Sequence, residues 1–187
     1  MTMQRGATPS PLLLFALIGG LAIAGGLFHS ASVEAATQVP LLAPSVVEKS
    51  LKLPVDTFLG RLNVQLANAQ TGFQAGKPEF GEGKVNDAMR VQVGPYNAVA
   101  GVLKKGTRQI KELMVMSWGD HTPIADVTVV VVISAVLAAT TPDLQSDEVQ
   151  AMLPVILKGE RQRHGDVSFH SLKVPVMGIV VTAQSAL

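Results

Sequence analysis

From Gln109 to Trp118 the chain alternates in a way that only a strand with two different faces can satisfy. Successive strand side chains point to opposite sides. Ile110, Glu112, Met114, Met116 and Trp118 are therefore expected on one face, and Lys111, Leu113, Val115 and Ser117 on the other. The same two-residue period precedes this run. Met89, Val91 and Val93 alternate with Arg90 and Gln92, and beyond Gly94-Pro95 the residues Val99, Gly101 and Leu103 share a side. Lys104-Lys105-Gly106-Thr107 has turn chemistry, so an antiparallel meander is predicted.

The period changes on either side of the meander. Phe58, Leu59, Leu62 and Leu66 fall on one face of a helix that Asp56 or Thr57 can cap and Gly72 can end. Thr71 to Lys84, rich in glycine, reads as a loop free to move. After Gly119-Asp120-His121, Thr122 caps a second helix with Pro123 in its first turn. Its four valines, Val129 to Val132, suit a strand, but the length of the run and its alanine-rich end favour a buried helix. A third helix opens at Ser146, with Asp147 and Glu148 at the positive end of its dipole and Pro154 expected to kink it. One or two strands close the chain, around Val167–Phe169 and Met177–Thr182. Strands and helices in separate blocks give an α+β fold, with an antiparallel sheet of about four to five strands packed against two or three helices.

A targeting segment is expected ahead of this domain. Arg5 precedes an apolar run from Leu12 to Phe28, and the small-residue site Val33-Glu34-Ala35 places cleavage before Ala36. The expected organisation is a signal peptide or signal anchor over 1–35, an extended linker over 36–54 and a single α+β domain over 55–187. The glycine pairs Gly19-Gly20 and Gly25-Gly26 favour a signal over a spanning anchor, because glycine weakens a helix. Either way the domain is expected outside the cytoplasm, in the periplasm or secreted, or else held at the inner membrane by residues 12–28.

Composition narrows the function. With no cysteine there is no disulfide, no thiolate metal site, no cysteine nucleophile and no lipid on an N-terminal cysteine. Fifteen basic against fourteen acidic side chains give a formal charge of +1, and no basic stripe stands out, which disfavours nucleic acid. Contact with a membrane is expected only through the N-terminal segment, if it stays uncleaved. No G-x-S-x-G elbow and no phosphate-binding loop is present.

What remains is a set of candidates. Asp120 and His121 at a strand-to-helix corner, with Asp126 a turn later, have the residue types of an acid/base or metal-assisted site, although a polar turn with a helix cap is the more ordinary explanation. His164, Asp166 and His170 have no standard ligand spacing, and Ser168 and His170 are expected on a solvent face. Met114, Met116 and Trp118 form an apolar stripe that fits the core face of a central strand, an adaptable binding surface, or a copper site. Glu112 on that stripe is awkward for a core. No cofactor and no metal is expected. The leading expectation is an exported, non-catalytic binding or accessory protein acting on a protein partner, with oligomeric state open. The alternatives are a small metal-assisted or acid/base enzyme centred on Asp120, His121 and Asp126, and a membrane-tethered accessory subunit.

Overall fold

A computed structural model of the chain describes residues 50–118, 122–175 and 178–186. They form an α+β fold in which three helices pack against an antiparallel sheet of eight strands. In chain order the elements are β1 (Leu53–Pro54), α1 (Val55–Asn68), β2 (Glu79–Gly81), β3 (Asn86–Val93), β4 (Asn97–Lys104) and β5 (Gln109–Ser117). Then follow α2 (Pro123–Thr140), α3 (Ser146–Leu157), β6 (Gln162–His164), β7 (Val167–Val174) and β8 (Gly178–Ser185). The strand order is β2-β3-β4-β5-β8-β7-β6, with β1 paired to β5 off that path. The meander β3-β4-β5 thus supplies one half of the sheet, and the C-terminal strands enter beside β5 to supply the other.

The sheet is larger than the expected four to five strands because β1, β2 and β6 have only two or three residues each. Such pieces are too short to show a period. β1 takes Leu53 and Pro54 from the expected linker into the sheet, opposite Ile110 and Gln109. β2 lies inside the stretch expected to be a loop, which is further tied down: the amide of Ala75 donates to Asn63 Oδ1 at 2.8 Å and that of Gly76 to the Gln92 carbonyl at 2.9 Å.

α1 starts one residue before the expected caps, with Pro54 in the cap position, and buries Val55, Phe58, Leu62 and Leu66. α2 is capped as expected, Ala125 N donating to Thr122 Oγ1 at 3.3 Å. Its valine run is helical because burial on several sides outweighs the modest β preference of branched side chains: Val132, Ile133, Val136 and Leu137 are all inside the core. For α3 the cap is Gln145 rather than Ser146, and the Gln145 amide donates to Glu148 Oε2 at 2.8 Å. Pro154 lies within α3 without ending it. Ser171 of β7 donates to the Ile156 carbonyl, fastening the last turn of α3 to the sheet. No helix among the described residues is long and apolar enough to cross a membrane.

The main core lies between the helices and one sheet face, made by Met89, Val91, Val93, Val99, Leu103, Ile110, Leu113, Val115, Phe169, Val181 and Ala183. Here the structure corrects the predicted facing of β5. Opposite β4, Leu103 pairs with Ile110 and Val102 with Glu112, so Lys111 is left over as an irregularity in the ladder. An extra residue of this kind switches the facing of everything beyond it. Ile110 therefore shares the helix-packed face with Leu113 and Val115. Glu112, Met114, Met116 and Trp118 lie on the other.

Candidate functional site

Hydrogen-bonded register places directly opposed residues of neighbouring strands on the same face of a sheet. On the face away from the helices this generates three adjacent rows. One runs Val102, Glu112, Gln184, Ser168; the next runs Arg90, Ala100, Met114, Thr182, His170; the third runs Gln92, Ala98, Met116, Val180, Leu172. Apolar members collect toward β4 and β5 and polar ones toward β7.

The apolar part has its own packing. Ala98, Ala100 and Met116 are buried together, with Met114, Trp118 and Val180 partly buried against them. Among the described residues, none of α1, α2 or α3 belongs to this cluster. Alanines on β4 leave room that the long side chains of β5 occupy, so Met116 is only 8% exposed. The methionine stripe is therefore not the main core face of the central strand, which is the role Leu113 and Val115 fill.

The polar part is under-satisfied. Ser168 is 4% exposed, and its Oγ, the Nδ1 of His170 and the Nε of Arg90 are buried with no hydrogen-bond partner. Leaving a buried donor or acceptor unpaired costs roughly 1–3 kcal/mol each. Ser168 and His170 do share a face, as expected, but Ser168 is buried and His170 half-buried, so that face is not simply solvent. Glu112 is half-buried as well. Burial pushes its carboxyl above the ordinary value, and the nearby His170 acts in the opposite sense. β5, β8 and β7 thus bring together Glu112, Gln184, Ser168, Thr182 and His170 beside the methionines. Their spacing along the chain does not reveal this grouping, which depends on β8 inserting between β5 and β7.

Of the predicted acid/base group, only Asp126 falls among the described residues. Asp120 and His121 lie outside the described residues, and Asp126 is exposed in the first turn of α2. His164 Nε2 sits 3.3 Å from Asp143 Oδ2, a contact at the surface between β6 and the α2–α3 connection rather than part of a cluster with His170. Among the described residues no group of three or more histidine and carboxylate side chains could hold a metal ion. A shallow groove between α1 and α2, lined by Gly60, Arg61, Val64, Gln65, Ala138 and Pro142, carries no reactive pair. Phe80 on the edge strand β2 lies under the Arg108 guanidinium, 3.5 Å from the ring centre, and is engaged within the fold.

The chain matches no protein-family model, no curated protein and no solved structure.

Proposed function

We propose that this chain is an exported, non-catalytic binding module that engages a protein partner through the sheet face opposite its helices. The observation that carries the reading is that Met114, Met116, Trp118 and Val180 gather with Ala98 and Ala100 in a cluster to which, among the described residues, no helix contributes. Methionine-rich apolar surfaces adapt to partners of varied shape. The half-buried Glu112 and Gln184 beside them supply polar groups that a partner can meet. Export rests on the apolar run Leu12–Phe28 and the small-residue site ending at Ala35.

Leu172 on this face and Val64 on the outer side of α1 are matched in exposure, 60% and 57%. A photo-crosslinking side chain placed at each position in turn, in the native host, tests the proposal. One stoichiometric protein adduct from position 172 and none from position 64 is expected. Adducts from position 64 alone, or from neither position, overturn it. Mass spectrometry of the recovered chain separates release from tethering: an N-terminus at Ala36 means a free domain, and an intact N-terminus means an anchored accessory subunit.

A further inference from the structure

We propose that the group recognised by this face is the ammonium of a lysine carried on an apolar segment of the partner, seated over Glu112 in the angle between Gln184 and Met114. The inference rests on the reading that this face is a binding face. Its first support is charge. From β3 to β7 Glu112 is the only carboxylate in the three rows, Glu79 lying beyond Arg90 on the edge strand β2, and it is half-buried beside an apolar cluster. Burial already disfavours its ionised form, with His170 the one opposing influence. A cation brought to this position by a partner restores the charged form and gains a partly desolvated ion pair.

The second support is the disposition of acceptors. Gln184 stands opposite Glu112 on β8, Ser168 opposite Gln184 on β7, and Thr182 lies two residues from Gln184 on the same face. These acceptors belong to separate side chains on neighbouring strands rather than to one planar pair. An ammonium directs three donors and can satisfy several separate acceptors, whereas a guanidinium is suited to a planar, paired set. The third support is the apolar floor. A lysine stem is four methylenes long and packs on apolar surface while its head finds polar partners. Met114, Met116 and Val180 continue from Glu112 in the adjoining rows and form that surface.

Trp118 is the only tryptophan in the chain and packs at the edge of the cluster, so its fluorescence reports occupancy. The probes are Ac-Ala-Leu-Lys-Leu-Ala-amide and three analogues with norleucine, acetyl-lysine or glutamate at the centre, titrated into the full chain. The lysine peptide is expected to bind at least about ten-fold more tightly than the norleucine and acetyl-lysine peptides, as loss of a partly desolvated charge pair requires. In Glu112→Gln that ratio should fall to about one while the norleucine peptide keeps its affinity, with circular dichroism confirming the fold. The acetyl-lysine arm needs no protein variant and stands even if Glu112→Gln misfolds. Equal binding of the lysine and norleucine peptides, a preference for glutamate, or no change in Trp118 fluorescence with any peptide overturns the lysine assignment. The crosslinks from position 172 judge the binding face separately. Decylamine binding where the lysine peptide does not would assign the site to a lipid-like amine and equally overturn it.

Discussion

Met89 on β3 fills the space that Gly101 leaves on β4. The two are directly opposed in the antiparallel ladder, and a Cβ built on Gly101 would stand 2.9 Å from Met89 Cγ and 3.0 Å from its Cε. Both residues are buried on the helix-packed face, where Leu113 closes the other side at 3.4 Å. Gly101→Ala therefore overfills the core and should lower stability by about 1–3 kcal/mol. Combining it with Met89→Ala, which removes both Cγ and Cε, should recover part of that loss. Urea unfolding of the two single variants and the double variant measures the coupling, and strictly additive effects would contradict the direct contact.

At the start of β4, where it pairs with β5, Ser117 Oγ donates to Asn97 Oδ1 at 2.7 Å, with both residues buried. The Asn97 side-chain amide nitrogen has no partner of its own. Ser117→Ala would remove the one side-chain donor to Asn97 Oδ1 and is expected to cost about 1–3 kcal/mol. Replacing both residues with Ser117→Ala and Asn97→Val should cost less than Ser117→Ala alone, because no buried polar group is then stranded. Thermal denaturation of the three variants decides it.

Much of this architecture was legible in the sequence. The alternation in β3, β4 and β7, the apolar stripe of α1 and the Thr122-Pro123 start of α2 all follow from local period and capping chemistry. Two kinds of information were not local. The irregularity at Lys111 is invisible to a strict two-residue period, yet it moves Ile110 to the opposite face from Met114. The insertion of β8 between β5 and β7 is a matter of topology, and it alone brings His170 near Glu112. Glu112 itself was readable as an anomaly on an apolar stripe. What made it anomalous, a second sheet face with its own apolar cluster, required the pairing of strands distant in sequence.

Asp87 gives the turn after β4 a dependence on acid. The Gly106 amide donates to its Oδ2 at 2.8 Å, Lys105 Nζ lies 3.0 Å from Oδ1, and the Gly83 amide donates to Oδ1 at 3.3 Å. The Gly106 amide is the largest cause holding the carboxyl below its ordinary value of 3.8, followed by Lys105. A carboxylate lowered by folding stabilises the native state above its unfolded value and loses that contribution as pH falls through the folded one. Melting of the wild type should therefore decline more steeply below pH 3.8 than melting of Asp87→Asn, which lacks the titrating group. Parallel curves for the two proteins through that range would refute the role of these three contacts.

Glu112 should behave in the opposite sense. Its carboxyl is raised by burial, so the folded state holds the proton more tightly than the unfolded chain does. The favourable contribution is complete below the ordinary value of 4.5 and is lost as pH rises through the raised folded value. Above that value the ionised side chain is a net burden on the fold, reduced by His170 and by solvent on its exposed half. Glu112→Gln keeps the shape and removes the charge. It should raise stability near neutral pH by less than about 1 kcal/mol, given that screening, and leave it unchanged well below pH 4.5. Denaturant midpoints across this range provide the measurement. A variant less stable than wild type at neutral pH would mean that the carboxylate already has a strong partner within the chain, leaving no electrostatic reason for a cation from outside to settle there.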